Sequence, residues 1–205
     1  MIDFYTAATA NGHRAAIALE ESGLPYRAHK LNLQAGDQRK PEYLKINPAG
    51  AIPAIVDDEG PGGKPLALAQ SGAIVLYVAE KSGKFLPKDP ARRAVALQWL
   101  LHACSDVAGG SGALFQLSMV APEKSAPNVD FFEKRLVNAL RVADERLAGR
   151  EYLADEISVA DLALYPVVAT RKPVIEKHGG LPNLAKWAER MAARPGVAKG
   201  MQVSA

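Results

Sequence analysis

The chain changes texture once, at "FLPKDP" (85–90), and that change limits its possible folds more than any other feature. Before it, strand-like and helix-like stretches alternate. "IDFYT" (2–6) reads as a short strand. "GHRAAIALEES" (12–22) reads as a helix, with Ala15, Ile17, Ala18 and Leu19 on an apolar stripe, Glu20 and Glu21 on a wet face, and Gly23 as a stop. "YRAHKLNL" (26–33) alternates like a strand, and "KPEYLKIN" (40–47) supports one or two helical turns. "IPAIVDD" (52–58) is a strand entered through Pro53, a turn follows at 58–65, "LALA" (66–69) is a short strand, and "QSGAIVLYVAEKSG" (70–83) is a helix. The order β-α-β-α-β-β-α implies a mixed sheet with helices on it. After the prolines only helical periodicity remains, over 91–108, 129–148, 158–171 and 182–193. The expected fold is therefore α/β plus all-α, with an α/β domain over 1–86 and an all-helical domain over 91–205.

Composition excludes several classes of function. The 205 residues are 48% apolar, enough for a sizeable core. The net charge of +3 is spread without a Lys/Arg block or a basic-aromatic stripe, so no nucleic acid partner is expected. No apolar run approaches the ~18–20 residues of a membrane span. Asp3 comes at once and no basic region precedes a long apolar stretch, so no signal peptide is read and a cytoplasmic location is expected. The single cysteine, Cys104, agrees with that location and reads as a small core residue on an apolar helical segment. His29, His102 and His178 show no metal-ligand spacing, and no metal is expected. His13, just inside the first helix, reads as solvent-facing.

Two stretches carry local devices. In "ISVADLALYP" (157–166), Ser158 and Asp161 have capping-box spacing and Ile157 and Leu162 stand at the staple positions, so a buried helix should start sharply at 158. In "TAATANGHR" (6–14) a strand runs into a helix, with Asn11 as its expected N-cap. Ser71 reads equally as the N-cap of the helix over 70–83.

Taken in order, "NPAGAIPAIVDD" (47–58), "AQSGAIVLYVAEK" (69–81) and "ISVADLALYP" resemble the cytosolic glutathione transferases. The resemblance covers nearly the whole chain and implies a thioredoxin-like first domain joined to a helical second one. "TANGH" and "QSGAI" look most like the bacterial Nu class, relatives of the yeast nitrogen-regulator protein.

The resemblance implies glutathione as a substrate. It implies a cis bond at Pro53, with the backbone of Ile52 pairing with the cysteinyl part of glutathione. It places Gln70 and Ser71 at a helix N-terminus that favours the γ-glutamyl carboxylate. Gln38 matches a glutathione contact, and Lys40 lies close by. Thr9 and Asn11 match the residues that activate the thiol, with Tyr5 in the first strand as their rival. Activation matters because the thiolate is the nucleophile. Lowering a thiol pKa of ~8.5 by roughly two units takes about 2.7 kcal/mol, which a charge-assisted hydrogen bond and a helix N-terminus can supply. The implied partners are glutathione, a small hydrophobic electrophile, peroxide or disulfide, and a second subunit in a homodimer. Phe115, Leu117 and Met119 either line the acceptor pocket or pack in the core. The other reading is a non-catalytic glutathione-binding or regulatory protein on the same scaffold. The chain departs from the family pattern at Ala51, where many relatives have Lys, and at Ala10, where the Nu motif has Pro. "VAGGSGALFQLSMVAPEK" (107–124) lacks the Gly-Gln and His-Phe texture of that class, and its helix arginine is not matched, since residues 131 and 132 are both Phe and Arg135 is only nearby. Gln70 also stands where many relatives have Glu.

Overall fold

In the computed structural model, which describes residues 1–203, Ile2–Thr6 (β1) pairs in parallel with Tyr26–Lys30 (β2) and antiparallel with Ala54–Asp57 (β3). β3 pairs antiparallel with Leu66–Ala69 (β4), which gives the order β2-β1-β3-β4. Between these strands lie Ala10–Ser22 (α1) and Pro41–Leu44 (α2), and Ser71–Ser82 (α3) follows the sheet. This is the thioredoxin-like arrangement expected. The period-two pattern of β1 buries Ile2, Phe4 and Thr6, and Phe4 faces Ile55 across the β1–β3 ladder. Ile17 and Leu19 of α1 and Ile74 and Val75 of α3 complete a fully buried core. α3 is also tied to the sheet by charge. The buried Asp57 at the end of β3 accepts hydrogen bonds from Tyr77 Oη, from Lys81 Nζ at 2.6 Å and from the Glu59 N–H at 3.0 Å.

The boundary of this unit differs from the expected one. Residues 1–86 form it together with residues 193–203, and residues 87–192 form the second unit. The last helix, Pro195–Val203 (α10), thus packs along α1 instead of belonging to a helical domain over 91–205. Small residues make this close approach possible: Ala15, Ala16 and Ala18 of α1 are buried, and so is Gly200 of α10. The same contact corrects two readings of α1. The Glu21 carboxylate is covered and not wet, its side chain only 6% exposed, because Arg194 Nε and Nη2 grip its two oxygens at 3.1 and 2.6 Å. His13 is buried as well, hydrogen-bonded to the Gly200 backbone.

The second unit is helical: Pro90–His102 (α4), Ala108–Phe115 (α5), Ala126–Arg146 (α6), Val159–Thr170 (α7), Lys172–Lys177 (α8) and Pro182–Ala192 (α9). π-helical turns at Ala103–Val107 and Gln116–Val120 join α4 to α5 and extend α5. The capping box forms at Ser158, as expected. The buried Asp161 does more than cap. One carboxylate oxygen takes the N–H and hydroxyl of Ser158 at 2.9 and 3.0 Å. The other takes the Leu153 N–H at 3.1 Å and the Trp187 indole N–H at 2.9 Å, which binds α9 to the start of α7.

Candidate active site

The site grows from the start of α1. Thr9, in extended conformation, is the N-cap: its Oγ1 accepts the Gly12 N–H at 3.0 Å. Asn11 is therefore not the cap. The Thr9 N–H turns back to the Ala7 carbonyl at 2.7 Å, so the helix starts two residues earlier, at Ala10, and Asn11 falls at its second position. Gly12 is required there by space, since a Cβ would sit 2.2 Å from the Ala7 carbonyl oxygen. Asn11 is exposed, and its Oδ1 accepts from Arg14 Nη1 at 2.9 Å.

The start of α3 comes to meet it. Gln70 is the N-cap and has φ 73° and ψ 113°, a backbone conformation that costs a non-glycine residue roughly 1–3 kcal/mol. Its side chain is exposed and makes no capping bond. Ser71 is thus the first helical residue and not the cap. It is buried, and its Oγ accepts from Arg14 Nη1 at 2.8 Å. One guanidinium nitrogen joins the N-termini of two helices.

The Ile52–Pro53 bond is cis, as expected. Strand pairing begins at Ala54, which faces Ala69, the residue before Gln70, so the sheet register brings Pro53 beside the α3 N-terminus. The loop leading to Ile52 is pinned at Ala51, whose carbonyl accepts from Tyr43 Oη and Asn47 Nδ2, both at 2.6 Å. Gln38 lies on a 3₁₀ turn at Asp37–Arg39, where its Nε2 donates to the Leu33 carbonyl at 3.3 Å. Its Oε1 is buried with no hydrogen-bond partner among the described residues. Lys40 pairs with Asp37 at 2.8 Å. Tyr5 is packed, stacked on His29 with ring centres 4.6 Å apart and edge-on to Tyr43. Burial and the nearby Asp3 raise its phenol above the ordinary value, which opposes phenolate formation.

Two family models cover most of the chain. The glutathione S-transferase N-terminal domain matches residues 10–81, and the C-terminal domain matches 109–195. The chain belongs to the glutathione S-transferase family. It is 37% identical to the disulfide-bond oxidoreductase YfcG of Escherichia coli, over 98% of this chain and 94% of that protein. A glutathione transferase from Pseudomonas putida, solved with one glutathione disulfide bound per subunit, is 34% identical with a TM-score of 0.92, covering 100% of this chain and 92% of that one. The nitrogen regulation fragment of the yeast prion protein Ure2p is 26% identical with a TM-score of 0.90, over 98% and 96%. The likeness to the Nu-type transferases and to the yeast regulator therefore holds along the whole chain.

Within this glutathione S-transferase, the structure brings Thr9, Asn11, Gln70 and Ser71 to two adjoining helix ends, while Gln38 is hydrogen-bonded to its own loop. Arg14 was missed in the sequence. The available signal was a charged residue on the buried stripe of α1, one turn after Asn11. In the helical unit, Cys104 is only half-buried and so is no core residue. Phe115 and Met119, 47% and 68% exposed, are not core either. His178 does meet carboxylates, since one ligand atom each from Asp130, Glu133 and His178 lie within 4.8 Å of one another. The Glu133 carboxylate, however, already accepts from Lys177 Nζ and from His178 Nε2 at 2.9 Å. Lys177 thus brings a positive charge of its own to this cluster.

Proposed function

We propose that this transferase binds glutathione across the N-termini of α1 and α3, ionises its thiol with Thr9 and Asn11, and uses the thiolate on a disulfide, with peroxides and small hydrophobic electrophiles as further acceptors. The observation that carries this reading is the meeting of two helix N-termini, joined through Arg14 and next in register to the cis Ile52–Pro53 bond. Helix N-termini favour anions through free N–H groups and the dipole. The ligand has two anionic groups to place, a γ-glutamyl carboxylate and a thiolate. In this reading Gln70 and Ser71 take the γ-glutamyl end, the backbone of Ile52 pairs with the cysteinyl unit, and Gln38 contacts the rest of the tripeptide. The name of the E. coli relative and the glutathione disulfide in the P. putida enzyme favour disulfide reduction.

The step balances without a redox residue of the protein. A glutathione thiolate attacks one sulfur of the disulfide, and the departing thiolate takes a proton. A second glutathione attacks the mixed disulfide and releases the second thiol with glutathione disulfide. Two glutathiones supply the two electrons. Cys104 has no part in this route. By family resemblance we place the protein in the cytosol as a homodimer, which light scattering checks through its mass.

The test is the ultraviolet absorbance of glutathione thiolate on the protein, titrated against pH. Thr9→Ala and Asn11→Ala should raise the bound thiol's pKa and slow turnover roughly ten- to a hundredfold. Tyr5→Phe should be mild, and Cys104→Ser should keep most of the disulfide reductase activity. Wild-type protein that binds glutathione without lowering the thiol pKa would be a binding protein, not an enzyme. Loss of activity in a folded Cys104→Ser variant would mean a cysteine mechanism instead.

A further inference from the structure

We propose that Arg14 is a positioning residue that sets Asn11 and Ser71 as hydrogen-bond donors toward glutathione, an inference that rests on the glutathione reading above. Arg14 is 1% exposed, and its Nη1 donates to Asn11 Oδ1 at 2.9 Å and to Ser71 Oγ at 2.8 Å. A guanidinium has donors and no acceptor. The amide atom that faces it must therefore be the oxygen, and the Asn11 NH₂ is turned the other way. Arg14 is buried and Asn11 is exposed, so that NH₂ is presented outward, at the start of α1.

The same logic holds at Ser71. Arg14 fills one lone pair of its hydroxyl, which leaves the hydroxyl proton for another acceptor. The acceptor the protein offers, Asn11 Oδ1, is 3.5 Å away, beyond the ordinary range for an O–H···O bond. A ligand carboxylate can take that proton. One buried cation thus fixes the polarity of two neighbours that could each act either way. Without it the Asn11 carboxamide is free to turn its oxygen outward, and an oxygen facing a sulfur anion repels it. The arrangement gives an α1–α3 junction whose side chains donate, suited to a thiolate and a carboxylate at once.

The experiment titrates bound glutathione thiolate by its absorbance, and measures glutathione affinity, in the full-length wild type and in Arg14→Met, Arg14→Lys, Asn11→Ala and the Arg14→Met/Asn11→Ala double variant. Arg14→Met should raise the bound thiol's pKa and weaken glutathione about tenfold. Arg14→Lys keeps a charge that only donates, and should restore most of both. The double variant should shift the thiol no further than the larger single change, because Arg14 acts through Asn11. A folded Arg14→Met variant with the wild-type thiol pKa and affinity overturns the proposal, and so does additivity in the double variant. Arg14→Leu, which offers neither donor nor acceptor, is read in the same way if Arg14→Met does not fold. A crystal structure of the wild type with glutathione tests the geometry without any variant. Arg14 Nη1 must stay on Asn11 and Ser71 while the other amide atom of Asn11 faces the sulfur, and an Asn11 side chain turned away from it overturns the proposal. If glutathione binds the wild type with an unshifted thiol, the thiol-activation reading fails, whatever Arg14 does.

Discussion

Gly200 of α10 lies directly on Ile17 of α1: a Cβ at position 200 would come within 2.5 Å of the Ile17 Cα and 2.6 Å of its backbone nitrogen. Neither atom can move without shifting α1, the helix that carries Thr9, Asn11 and Arg14. Gly200→Ala should therefore destabilise the protein by about 1–3 kcal/mol, read as a lower urea midpoint. Gly109→Ala is the control. That glycine stands in α5 with nothing within 4 Å of its would-be Cβ, and the change should be neutral or stabilising by up to ~1 kcal/mol. Equal losses in the two variants would contradict the close helix contact.

Asp161 serves three partners from one buried carboxylate: Ser158, the Leu153 N–H and the Trp187 indole. Asp161→Ala would strand several buried donors at once, so the loss should be at least ~3 kcal/mol. Ser158→Ala removes a cap and should cost about 1 kcal/mol. Fluorescence of the fully buried Trp187 reports both unfolding transitions. An Asp161→Ala variant as stable as Ser158→Ala would show the network to be no more than a helix cap.

Stability should fall in two steps as pH is lowered. Burial pushes the His13 imidazole below its ordinary 6.5, and the hydrogen bond to the Gly200 backbone offsets part of that. From about pH 6.5 downward the unfolded chain then binds more protons at this site than the folded one, so stability is full above that pH and declines through the folded value. Asp57 supplies the lower step. Burial raises its carboxyl, but Lys81, Tyr77 and the Glu59 N–H outweigh burial and hold it below its ordinary 3.8. Its contribution is present above about pH 4 and is lost as pH falls further. His13→Gln should flatten the upper step in denaturation curves taken from pH 8 to 5 and leave the lower one in place.

Gln70→Gly separates strain from binding. Glycine accepts the φ of 73° without steric cost, which relieves roughly 1–3 kcal/mol, while its extra freedom in the unfolded chain costs about 0.5–1 kcal/mol. The melting temperature should hold or rise. Glutathione affinity, measured by calorimetry, should fall if Gln70 holds the γ-glutamyl end as proposed above, because its side chain is gone. A lower melting temperature would mean that Gln70 contributes contacts beyond its backbone.

What the sequence determined by itself is local: strand and helix order, the capping box at Ser158, the proline at the entry to β3, and the Gln-Ser start of α3. Each depends on residues within a few positions of one another, where period, propensity and cap chemistry act. Tertiary structure decided the rest. Thr9 and Asn11 are both competent caps two positions apart, and the turn back to Ala7 chose between them. Ser71 and Arg14 are 57 residues apart, and only the packing of α1 against α3 makes them neighbours. α10 has no local signal for where it docks; it goes where α1 offers alanines close enough for Gly200. His13 and Glu21 were misread as wet for the same reason, because a helix pattern shows which faces are polar but not that a later helix brings an Arg194 or a backbone carbonyl to satisfy them.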